Sequence, residues 1–197
     1  MNATAHPGAR LWDVTKPTLL ALGGSTTPDS ASERALHLAV DATGLDVTCI
    51  TGRSLMLPIY DTETRERTPA AHALIEAARR ADGLIIASPG YHGGISGMLK
   101  NALDYLEDLR HDERPYLDGR VVGLIGVAHG WQTAVGTLAQ LRDVVHSLRG
   151  WPTPLGVAVN DSGGLIGADA AHSDPHVVGQ LQSLGRQVAD MATRLVR

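Results

Sequence analysis

Two kinds of segment alternate along the chain. Short, nearly continuous apolar runs occupy residues 18–23 (TLLALG), 45–51 (LDVTCIT), 83–88 (GLIIAS), 120–128 (RVVGLIGVA) and 155–160 (LGVAVN). Runs of this kind, without polar alternation, are expected of strands covered on both faces in a parallel sheet. Between them, apolar positions recur at helical spacing. Residues 32–43 carry Leu36, Ala39 and Val40, and residues 96–110 align Leu99, Leu103 and Leu106 with Ala102. Residues 69–81 open on a proline, which suits a first helical turn. Residues 131–149 and 175–197 complete the helices.

The alternation predicts an α/β fold, because right-handed crossovers place helices on both faces of an open parallel sheet. Five strands favour the order 2-1-3-4-5, a flavodoxin-like three-layer sandwich. Residues 1–16 have no continuous apolar segment and are expected to form a flexible leader, with Trp12 pinned back on the domain; residues 17–197 form one domain. Two stretches lack periodicity. Residues 111–119 are charged and read as an exposed excursion, and residues 161–174 are rich in Gly, Asp and His.

Composition narrows the function. The chain has 197 residues and a formal charge of -4, so no global positive field steers it to nucleic acid or to a membrane. No apolar run approaches the roughly 18 residues that span a bilayer. The single Cys49 excludes an intramolecular disulfide and any multi-cysteine metal site. It suits a cytoplasmic protein and is expected to be a small buried hydrophobe on the second strand.

In open parallel sheets, ligands sit beyond the carboxyl ends of the strands near the switch in strand order. For order 2-1-3-4-5 that points to three loops. The first, residues 23–32 (GGSTTPDSAS), carries Ser25, Thr27, Ser30 and Ser32 straight into a helix start. Free amides and the helix dipole bind anions there. It lacks both the lysine of triphosphate loops and the G-x-G-x-x-G of dinucleotide folds, which suits a monophosphate. The competing reading is a plain serine cap, Ser30 or Ser32, with Glu33 in the first turn. The second loop is Pro89, Gly90, Tyr91, His92, Gly93 and Gly94, leading through Ser96 into the third helix. Its backbone amides suit the edge of a flat heterocycle, with Tyr91 packed beside it. The third carries His129, Gly130 and Trp131. Trp131 and His129 either wall a ring or belong to a core or partner surface.

At these loops the sequence resembles the NADPH-dependent FMN reductase family of flavodoxin-like flavoproteins. That family shares a G-S-x-R-x-x-S phosphate loop and a [ST]-P-x-Y-N-x-x-x-[PS]-G-x-L-K-N-x-[LI]-D segment. The second pattern appears here as residues 88–104, SPGYHGGISGMLKNALD. The resemblance implies that Ser25, Thr27, Ser30 and Ser32 hold the FMN phosphate. It places Pro89, Gly90, Tyr91, His92 and Gly93 along the isoalloxazine and ribityl chain, and His129 and Gly130 at a third flavin contact. Thr27 stands where the family often has arginine, and His92 replaces the usual asparagine. Loss of that arginine suits an enzyme that takes FMN as a substrate and releases it.

The activity implied is hydride transfer from NADPH or NADH to FMN, supplying reduced flavin to a partner monooxygenase. The alternatives are a reductase of quinones, azo dyes or chromate that retains FMN, and a non-enzymatic electron carrier. The resemblance also implies a homodimer or homotetramer, with the third helix and residues 111–120 as interface candidates. No side chain is singled out as catalytic, and no metal site is expected from His172 and His176, which Pro175 separates. Lys100, Asn101 and Asp104 serve capping, ion pairing or subunit contact. Arg65 and Arg67, among Glu63 and Glu66, read as solvated surface. Arg53, just beyond the second strand, is a candidate to approach a 2′-phosphate of NADPH, though the sequence alone does not place it.

Overall fold

The computed structural model describes residues 16–196, so the expected leader and Trp12 lie outside the described residues apart from Lys16. In chain order the elements are β1 (Thr18–Gly23), α1 (Ala31–Asp41), β2 (Asp46–Thr51), α2 (Pro69–Arg80), β3 (Gly83–Tyr91) and β4 (Gly94–Ile95). There follow α3 (Gly97–Asp104), β5 (Val121–Ala128), α4 (Trp131–Ser147), β6 (Trp151–Pro152), β7 (Val157–Asn160) and α5 (Pro175–Leu195). Local signals set the helix starts. Thr68 caps α2 ahead of Pro69, and Asp174 caps α5 ahead of Pro175, each side chain accepting first-turn amides.

The sheet runs β2-β1-β3-β5, continued by β6 and β7. It has seven strands rather than the five expected. Part of the excess comes from the fifth strand, which is broken in two. β6 pairs with the start of β5 and β7 with its end, both parallel. Pro152 and Pro154 have no amide to give a ladder. Arg142 instead donates to the carbonyls of Thr153 and Pro154, at 3.3 Å each. The other extra strand, β4, folds back antiparallel on β3.

Alternate residues of the strands feed two cores. Leu20, Leu22, Leu84, Ile86 and Leu124 pack under α2, α3 and α4. Leu19, Ala21, Ile85, Ile125 and Val159 pack under α1 and α5. Each fully buried Leu or Ile contributes about 1.5–3 kcal/mol. The result is three layers, helix–sheet–helix. Gly185 lets α5 pass close to α1, since a Cβ there would meet the Ala39 carbonyl oxygen.

Five expectations need correcting. β2 pairs only with β1, and as an edge strand it is not covered on both faces. Cys49 is consequently exposed; partial desolvation, then Asp41, still push its thiol pKa up. The helix expected over 96–110 ends at Asp104 and tightens into a 3-10 segment, Tyr105–Leu109. Arg67 is not solvated surface. Its side chain is 8% exposed, forks onto Asp108 (Nε–Oδ2 2.7 Å, Nη2–Oδ1 3.0 Å) and stacks on Tyr60 and Tyr105. The excursion over 111–119, expected to be exposed, is only partly so. Leu117 is buried, and buried Arg120 donates to the carbonyls of Arg79, Ala81, Arg114, Tyr116 and Asp118. Burial pushes the Arg120 pKa down to about 10, which leaves it charged at neutral pH.

Candidate active site

β1, β3 and β5 end side by side, and the three loops that follow them meet around one cavity of about 570 Å³. That volume is in the range of small-molecule and cofactor pockets. The first loop is held to the sheet by its leading residue: the Gly24 amide donates to the Ala87 carbonyl at 2.9 Å. Ser25 is buried and accepts the Thr27 amide at 3.2 Å, closing a tight turn. Asp29 takes a left-handed conformation (φ 52), which short polar residues tolerate.

Ser30 caps α1, accepting the Glu33 amide at 3.2 Å, and its hydroxyl lies 3.1 Å from that of Ser32. Glu33 reaches back to the Asp29 amide and also accepts the Thr51 hydroxyl. The serine cap expected of the helix start is therefore present, and it stands at the cavity wall. Ser30 satisfies one orphan amide of the helix start, while Ser25, Thr27, Ala31 and Ser32 face the cavity at the positive end of α1.

The second loop is a hairpin. Gly90 pairs with Ile95 and Tyr91 with Gly94, leaving His92 and Gly93 as a two-residue turn. Both turn residues have positive φ, 50 and 86, the type I′ geometry that matches strand twist. Position 92 therefore needs a residue that tolerates the left-handed region, and histidine is among those enriched there. Ser88, fully buried, fixes the hairpin base by accepting the Ser96 amide at 3.0 Å. Ser96 in turn caps α3.

The third loop enters α4 through Gly130. Here glycines act by packing. A Cβ on Gly90 would meet Thr133 and Thr137 at 2.6 Å, and one on Gly126 would meet the Ala134 carbonyl oxygen at 2.7 Å. Their absence lets α4 close on β3 and β5, setting His129 at the cavity wall.

Of the expected site residues, Ser25, Thr27, Ser30 and Ser32 line the cavity. So do Pro89, Gly90, Tyr91 and His129. His92, Gly93 and Gly130 do not; they shape the hairpin tip and the entry to α4 instead. The cavity also has walls that the sequence did not announce: Asp29, Arg34, Val127 and Asp161. Asp161 is buried and accepts the Ile166 amide at 3.0 Å. Its segment, residues 161–174, was legible only as aperiodic. Arg53 faces a separate cleft, with Thr26, His37 and Gly52, on the far side of the first loop.

Residues 17–164 match the family described as NADPH-dependent FMN reductase. The chain belongs to that family. An FMN-dependent NADPH-azoreductase of Staphylococcus aureus is 43% identical over 89 residues, 45% of this chain and 44% of that protein. The matched stretch is thus less than half the length of that relative. Among solved structures, the flavoenzyme NAD(P)H:(acceptor) oxidoreductase FerB of Paracoccus denitrificans superposes with a TM-score of 0.74 at 19% identity. It covers 90% of this chain and 98% of that one. A WrbA-like flavodoxin of Agrobacterium tumefaciens reaches 0.60 at 17% identity, covering 91% and 99%. These two likenesses establish the flavodoxin-like fold of this family member. Among the described residues, no helix is long and apolar enough to cross a membrane.

Proposed function

We propose that the chain is an NAD(P)H-dependent FMN reductase whose flavin sits in the cavity above β1, β3 and β5. One observation carries the reading: a hydroxyl-rich helix start and a rigid hairpin meet at one cavity at the sheet's carboxyl edge. The residues fit a flavin monophosphate in kind. Ser25, Thr27, Ser30 and Ser32 offer hydroxyls and amides to a phosphate, while Pro89, Gly90, Tyr91 and His129 offer a flat, mostly backbone wall to a ring. FMN held there would supply the redox chemistry of a hydride transfer from NAD(P)H.

This chain's task is then to orient and to shield. Val127 and Ala128, both buried, close the cavity floor against water. Tyr91 and Trp131 are 52% and 59% exposed, and Val135 lies exposed on the first turns of α4. An apolar surface of this kind supports a dimer or tetramer in which a second copy covers it. Supply of reduced flavin to a monooxygenase belongs to this reading. An azo or quinone acceptor is the second reading, supported by the azoreductase relative.

NADPH oxidation measured with and without added FMN, and then with an azo dye or quinone, tests the proposal. Oxidation that requires free FMN, with ternary-complex kinetics, is expected of the first reading. Ping-pong kinetics with retained FMN supports the second. No oxidation under any condition contradicts both.

A further inference from the structure

The first loop, residues 23–32, has no cationic side chain of its own. The cavity nevertheless contains one. Arg34, in the first turn and a half of α1, lines it beside Ser30 and Ser32. Its guanidinium joins two segments. Nη1 donates to the Asp29 carbonyl oxygen and lies 3.3 Å from Asp29 Oδ2. Nε and Nη2 both donate to the Ile166 carbonyl, at 3.3 and 2.8 Å. The two ends of this pair differ in burial. The Arg34 side chain is 24% exposed, whereas that of Asp29 is 74% exposed.

We infer that Arg34 is the cationic partner of the flavin phosphate, and that Asp29 is a resident anion which the phosphate displaces. The inference rests on the FMN-binding reading above. An ion pair with so exposed a carboxylate is weak, so exchanging it costs little. A phosphate in the same place gains the guanidinium together with the amides at the start of α1. The Ile166 carbonyl anchors Nε and Nη2, so only the Nη1 side has to change partner. Arg34 thus supplies to the cavity the positive charge that residues 23–32 lack. Asp29 remains nearby as a like charge, which limits affinity and favours release of the flavin.

Titration of FMN and of riboflavin with the full chain, read by quenching of flavin fluorescence, tests this. Riboflavin lacks only the phosphate. Arg34→Gln should weaken FMN binding about ten- to a hundredfold and leave riboflavin unchanged. Arg34→Lys should retain part of the preference for FMN. Asp29→Asn, on an exposed side chain whose φ asparagine tolerates, should strengthen FMN binding about three- to tenfold without affecting riboflavin. Equal loss of both flavins in Arg34→Gln, unchanged FMN binding in that variant, or weaker FMN binding in Asp29→Asn overturns the inference. If circular dichroism shows Arg34→Gln unfolded, the Asp29→Asn titration decides alone. Wild-type protein that binds both flavins equally overturns this inference and leaves flavin binding standing. Wild-type protein that binds neither overturns both.

Discussion

Gly90 has one side on the cavity and the other against α4, and the second relation is what excludes a side chain. A Cβ there would stand 2.6 Å from both Thr133 and Thr137, so Gly90→Ala should force α4 away from β3. A cost of about 1–3 kcal/mol is expected, read as a lower midpoint in thermal or urea unfolding, together with weaker flavin binding. Gly97, eight residues earlier than Tyr105 and at the start of α3, has nothing within 4 Å of its Cβ position. Gly97→Ala should therefore be neutral or stabilise by up to about 1 kcal/mol. An unfolding series that ranks these two variants the other way would contradict the packing account. In the sequence Gly90 was visible as a loop residue near the ligand edge and Gly97 as an early residue of the third helix. Which of them was there for packing was not visible, because the clash partner lies more than forty residues away. Arg34 was missed for the same reason: its place in the cavity depends on how α1 sits over the loop and on Ile166.

Among the elements, the strands and helices nearest the cavity were the most legible, because continuous apolar runs and capping residues mark them locally. The departures have local causes too. Pro152 and Pro154 break the last strand, and the His92–Gly93 turn adds a hairpin that the sequence shows only as a glycine-rich loop. The Arg67–Asp108 pair lies on such an unanticipated contact, joining the stretch before α2 to the 3-10 segment after α3. Arg67→Ala should destabilise the protein by about 1–3 kcal/mol, since it strands a partly buried carboxylate and removes stacking on two tyrosines. The hydrogen-bonded Arg67 guanidinium holds the Asp108 carboxyl below its ordinary range, against the upward push of burial, with Tyr60 assisting. A carboxylate with a depressed folded-state pKa contributes fully above its unfolded value of about 3.9. That contribution is lost as pH falls through the lower folded value. The difference in stability between wild type and Arg67→Ala should thus be constant from pH 7 to 5 and shrink below pH 4. Unfolding curves showing the difference growing on acidification would rule out this assignment.

For the molecule as a whole, the sheet order does the decisive work. Placing β1 between β2 and β3, and β5 beside β3, brings together loops that are separated by some sixty and forty residues in the chain. Strand alternation was enough to anticipate that meeting, because crossover handedness leaves few topologies open. It could not anticipate the contribution of Asp161 and its aperiodic segment, which no pattern rule places. The central claim is that FMN occupies the cavity at this edge of the sheet. Amide hydrogen exchange of the full chain, measured by mass spectrometry with and without FMN, tests it most directly. Added FMN should slow exchange in residues 25–34, 88–93 and 128–133 and leave β2 unchanged. Unaltered exchange in those three loops, or protection concentrated elsewhere, would contradict it.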